Sequence, residues 1–248
     1  MSVAALVLEH RSRPARPPLA CTCKGVAQRQ VTDVLRSRWI RHYRPVMDRD
    51  RMTLGDLLAQ GQLISAQLRA LAECGPWWPV EAPGLEWTSR QVVDHLCNTL
   101  AFYVNHALTE ADAHLPRIRS VGDVDLSDRD LARTVGTWTL LLHGVLSSWV
   151  AGSRGWHRLG RPDAEGYVAL ACNELLVHAY DVHAAHGVQL TAPHDVCARL
   201  LARLFPDVPR AVHDNAWQRL LWANGRIALP GRPRRQEWRS HPAPPRQG

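Results

Sequence analysis

The sequence predicts an all-α protein, a four-helix bundle followed by short extra C-terminal helices. Three observations lead there. Apolar residues recur at helical spacing in four long stretches between residues of about 52 and 205. No stretch of useful length alternates in the manner of a β-strand. Clusters of Gly, Pro and polar residues separate the stretches. With 46% hydrophobic residues in 248 positions, the chain has enough apolar surface for one core-forming domain.

The first helix begins near Thr53, and Leu54, Leu57, Leu58, Ile64, Leu68 and Leu71 form its stripe until Gly75-Pro76. Thr88 and Gln91 form a capping box, which starts a second helix that runs to about Leu108. Ser127 caps a third, with Asp128 and Asp130 in its first turn, continuing to about Ala151. The fourth spans about Asp163 to His186, with Gly187 just past its end. A fifth covers about Pro193 to Leu204 and a short last one about Asp214 to Trp222. The expected organisation is a basic extension over 1–51, a bundle over 52–205 and a C-terminal extension over 206–248 with an Arg/Pro-rich tail.

Charge is concentrated at the ends. Residues 1–51 carry 11 basic and 4 acidic groups, residues 226–248 carry 6 and 1, and the middle holds 13 and 18. The expected globular part is therefore mildly acidic, which argues against a nucleic-acid partner. Val31, Leu35, Trp39 and Tyr43 recur four apart among arginines, the pattern of a basic amphipathic helix at a membrane surface or on a partner. The competing reading of 1–51 is an unstructured or non-native extension, with Met47 or Met52 as the true start. No apolar run is long enough to span a bilayer. None of the six cysteines forms a C-x-x-C pair, and Cys97, Cys172 and Cys197 fall in apolar helical patterns. With no secretory signal, these features lead us to expect a cytoplasmic protein.

Glu174 and His178 stand four apart on the fourth helix, so both side chains share one face, a turn apart. His95 lies on or beside the apolar stripe of the second helix, where a bare imidazole is costly to bury. Bundles build metal sites from side chains on facing helices. Two His and one Glu would leave a tetrahedral ion one open position, as catalytic sites do. Spacing alone leaves a rival reading open, a solvated surface pair. Asp181, three residues on, is placed to orient the free nitrogen of His178. The alternative for it is an ordinary surface carboxylate.

Two segments carry a family resemblance. Pro83-Gly84-Leu85-Glu86-Trp87-Thr88, followed by Val92-Val93-Asp94-His95-Leu96, resembles the first signature of the mycothiol-dependent maleylpyruvate isomerase family, a branch of the DinB-like metal-binding bundles. Asn173-Glu174-Leu175-Leu176-Val177-His178-Ala179-Tyr180-Asp181 resembles its second. Leu220 to Arg226, with Leu229-Pro230 and Trp238, is similar to a short C-terminal extension found in many members. The resemblance covers residues of about 52 to 240. It implies a DinB-like fold, His95, Glu174 and His178 as metal ligands, and a low-molecular-weight thiol such as mycothiol as co-substrate. The founding isomerase has a sizeable second domain after its bundle, whereas about forty residues follow Phe205 here, so maleylpyruvate is not the expected substrate.

The ligand set suits zinc best, with iron, nickel and manganese as competing ions. The expected activity is a metal-dependent, thiol-using isomerisation or thiol transfer on a small electrophile. The alternative is a non-catalytic metal-binding or interaction protein of the same fold. Arg226 is a weak candidate for holding an anionic substrate group, with a structural ion pair as its rival role. His143 is expected to be a satisfied core histidine, and His183 and His186 to be last-turn imidazoliums favoured by the helix dipole. Ser147-Ser148 has no evident base and is assigned no chemistry.

Overall fold

A computed structural model describes residues 50–77, 80–116, 125–212 and 214–244. The possible helix around Val31 to Tyr43, together with Cys21 and Cys23, lies outside the described residues. Six α-helices occur among the described residues: α1 (Leu54–Ala72), α2 (Ser89–Leu108), α3 (Asp128–Ser147), α4 (Ala164–Ala185), α5 (His194–Leu204) and α6 (Ala216–Ala223). A single 3-10 turn, Arg210–Val212, precedes α6. The only β features among the described residues are two isolated bridges.

Helix starts follow their caps. Thr88 and Gln91 form the expected capping box, and the Ser127 hydroxyl accepts from the Asp130 amide. Thr53 and Asp56 form a second box at the start of α1. Asp163 caps α4 through the Gly166 amide. Gly187 follows α4 at φ 66°, in the left-handed region where Gly carries no steric cost. Two ends differ from expectation. α3 stops at Ser147 rather than running to Ala151, because Ser147 and Ser148 donate their hydroxyls to the carbonyls of His143 and Val145. Such bonds compete with helix propagation. Trp149 then turns so that its indole N–H donates to Ala107 O. α6 starts at Ala216, since the Asn215 side chain caps the amides of Trp217 and Gln218.

α1 and α2 each pack against both α3 and α4, so α1 sits diagonal to α2 and α3 to α4. Contacts at the helix ends give the directions. Arg129 at the start of α3 meets Glu73 at the end of α1, so these two are antiparallel. Arg90 and Asp128 pair at the starts of α2 and α3, so these run parallel. The Met52 amide and Arg51 reach Glu165, which makes α1 and α4 parallel. The order is up, down, down, up.

The core joins Leu57, Ile64 and Leu68 of α1, Leu96 and Leu100 of α2, Leu142 of α3, and Leu175 and Leu176 of α4, all at most 1% exposed. Each such leucine contributes about 1.5–3 kcal/mol through burial. α4 is central: α1, α2 and α5 all contact it, and it is buried on nearly every side. Where α1 crosses α3, Gly61, Ser65 and Gly136 keep the backbones close, and the Ser65 hydroxyl donates to Ala132 O at 2.9 Å.

The segment after α5 is tied to the bundle. Asn173 and Asn224 exchange amide hydrogen bonds of 3.0 and 2.9 Å. The Arg203 guanidinium donates to the carbonyls of His241, Pro242 and Ala243. α6 and its sequel therefore sit against α4 one residue from Glu174.

Candidate metal centre

His95 lies in the second turn of α2, and Glu174 and His178 lie mid-way along α4, facing it across the bundle. One ligand atom from each of the three lies within 4.8 Å of the others. No other His, Cys, Asp or Glu among the described residues joins this cluster. The His95 and His178 rings meet edge to face with centroids 5.0 Å apart. His178 Nε2 is 3.0 Å from Glu174 Oε2, as the spacing of four predicts. His178 is 7% exposed, while the Glu174 side chain keeps 23% of its surface accessible. The cluster is thus sunk into the bundle but open on the carboxylate side.

Asp181 sits behind His178, 2% exposed, with Oδ2 3.1 Å from His178 Nδ1. Arg226 holds the same carboxylate through three bonds of 2.9–3.2 Å, and its remaining nitrogen donates to Asn224 O. Burial by itself would push the Asp181 carboxyl up, but hydrogen bonds from His178 and Arg226 hold it below the usual range. An ionised carboxylate only accepts, so the Nδ1 proton stays on the ring and Nε2 is the nitrogen presented to the cluster. Burial likewise disfavours charge on Glu174, yet the His178 hydrogen bond and the His178, His95 and Arg226 charges lower its pKa. His178 is desolvated too, but Asp181 and Glu174 raise it to about 9. Without a cation, then, the site rests as a carboxylate–imidazolium–carboxylate chain.

All three guanidinium nitrogens of Arg226 are engaged by protein, which supports its ion-pair role over anion binding. His143 is half-buried at the edge of α3 rather than in the core, since Leu140 and Leu141 beside it are exposed and only Leu142 is buried. His183 and His186 are not imidazoliums: burial lowers both pKa values, and desolvation outweighs the dipole. Cys97, Cys172 and Cys197 are buried, with thiols raised mainly by desolvation.

Sequence reasoning missed three neighbours. Trp87, 40% exposed, packs on His95 with centroids 4.9 Å apart. It was visible only as a motif residue, with nothing to show which way its loop folds. Buried Tyr103, two turns beyond His95 on α2, feels the Glu174 charge, as does His157 from the loop after α3. Tyr103 follows His95 by eight residues, a spacing that places both on one helix face.

No protein-family model matches the chain, and no curated protein or solved structure matches it. What stands without them is an all-α bundle with a clustered His/Glu/His group suited to a divalent cation. No described helix is long and apolar enough to cross a membrane.

Proposed function

We propose that His95, Glu174 and His178 hold one divalent cation, zinc in preference to iron, in a metal-dependent enzyme that uses a low-molecular-weight thiol. The observation that carries this reading is the convergence of two imidazoles and a carboxylate from facing helices within 4.8 Å, with Asp181 fixing the tautomer of His178. The donor set fits a catalytic zinc, which takes three protein ligands and leaves one position open. A bound cation would supply Lewis acidity, lowering the pKa of a thiol so that thiolate is present at neutral pH.

The chain's own residues define the rest. Asp181 and Arg226 keep His178 in one orientation, so the site is formed before any ligand arrives. Glu174 stays ionised through its neighbours and keeps its accessible edge toward solvent. Trp87 gives the mouth an aromatic wall against which a small electrophile can rest. Attack of the thiolate on a conjugated double bond would form a C–S bond and break the carbon–carbon π bond, with the electron pair passing to the conjugated carbonyl as an enolate. Expulsion of the thiol after rearrangement gives isomerisation with the thiol regenerated, and protonation with the thiol retained gives transfer. The family resemblance of the segments around His95 and His178 makes mycothiol the thiol of choice.

Cobalt substitution tests the thiol directly. Cobalt-loaded protein should develop a sulfur-to-cobalt charge-transfer band when a small thiol is added, and zinc-loaded protein should consume electrophiles only with thiol present. A spectrum indifferent to thiol, with no thiol-dependent turnover across a varied panel of electrophiles, contradicts the proposal.

A further inference from the structure

Three arginines of the C-terminal half are buried: Arg199, Arg203 and Arg219. Two of them are compensated. Arg199 pairs with Asp56 and Asp195, and Arg203 pairs with Asp163 and three carbonyls of the tail. Arg219 on α6 is different. It is 6% exposed, and its Nε is buried without a hydrogen-bond partner, as are those of Arg199 and Arg203; what sets it apart is that, among the described residues, no carboxylate or carbonyl pairs with its two terminal nitrogens. Asp207, the acid of the neighbouring segment, is engaged by Arg235 at 2.9 Å. The two terminal nitrogens are not among the fully buried polar atoms, so the face of the guanidinium that can pair with an anion stays accessible while the rest of the side chain is held in the fold.

Arg219 lines a cavity of about 250 Å³ between α5, the segment after it and α6. Its walls are apolar, from Leu201, Phe205 and Val208, and Arg210 stands exposed at its rim. The volume lies below the usual range for drug-sized ligands, which favours a small guest. One planar fork matches one carboxylate bidentately, and the walls match a short hydrocarbon chain. We infer that this cavity is a binding site for a short-chain monocarboxylate, whose head group pairs with Arg219 and whose tail lies against Leu201, Phe205 and Val208. The site is separate from the His/Glu/His cluster and does not depend on the function proposed for it.

Calorimetric titration of the full chain with hexanoate, hexanamide and inorganic phosphate tests this. Hexanoate should bind saturably, with hexanamide at least about tenfold weaker. Arg219→Met should weaken hexanoate by about tenfold or more. Ala202→Trp, which fills the cavity and leaves the guanidinium in place, should also abolish binding. This second variant decides the matter if Arg219→Met does not fold. Hexanoate that fails to bind, or binds both variants as it binds the parent, overturns the inference. So does binding of phosphate in place of hexanoate.

Discussion

Asp181 faces two partners at once, the His178 ring and the Arg226 guanidinium. Asp181→Asn should therefore show two losses. Metal affinity should fall by about 10–100-fold as His178 loses its orienting carboxylate, read by competition with a chelator. Stability should fall by about 3 kcal/mol as Arg226 is left without its partner in a partly buried site, read by urea denaturation of the metal-free protein. Unchanged metal affinity would mean that Asp181 serves Arg226 alone. The intrahelical part of this arrangement was legible in the sequence, since spacings of three and four place Asp181, His178 and Glu174 on one face of α4. The partnership with Arg226 was not, because 45 residues separate the pair and nothing local distinguishes a structural arginine from one that binds an anion. His183 and His186 were misread for a related reason: the last-turn position was visible, but the burial that keeps them neutral depends on packing.

At the level of elements, the starts of α2 and α3 were readable because a side chain and its amide partner lie within the same four residues. Ends were less so. The apolar run Trp149-Val150-Ala151 looks like continuing helix, and only the serine–carbonyl bonds before it stop α3. The close approach of α1 and α3 also left no sequence signal beyond its small residues. A Cβ on Gly61 would lie 2.7 Å from the Thr139 Cβ, and Thr139 is fixed by its bond to Val135 O. Gly61→Ala should accordingly destabilise the fold by about 1–3 kcal/mol, although in an open helix it would gain about 1 kcal/mol. Thermal unfolding checks the sign, and a stabilised variant would show that the crossing has room to spare. The amide pair between Asn173 and Asn224 makes a second element-scale prediction. Asn224→Leu should cost about 1–3 kcal/mol by leaving the buried Asn173 amide unpaired, and should speed proteolysis within residues 216–244.

Over the whole molecule, buried and half-buried histidines with lowered pKa values couple the fold to pH. Desolvation comes first among the causes that lower His106, His143, His157, His183 and His186, and it takes His157 to about 4. The unfolded chain takes up these protons near the ordinary value of 6.5, whereas the folded chain refuses the His157 proton until about 4. The unfolded state therefore binds more protons in that window, and stability present above pH 6.5 is lost as the pH falls through it. His157→Gln should remove up to about 3 kcal/mol of the stability change between pH 6.5 and pH 4, measured by urea titration at several pH values. The four-helix architecture was legible from periodicity because each long helix buries one stripe. The up-down-down-up order was not, since it is set by pairings between residues distant in the sequence, such as Arg129 with Glu73 and Arg90 with Asp128. The metal cluster requires α2 and α4 to be adjacent so that His95 meets His178, and the Tyr103–Tyr167 contact further along the same pair of helices shows that they run antiparallel.

Metal content after zinc loading and exhaustive dialysis tests this account most directly. The parent protein should retain about one equivalent per chain, as a single three-ligand site requires, and His178→Ala should retain almost none while keeping its helical circular-dichroism spectrum. Full occupancy in that variant, or none in the parent, would contradict the site.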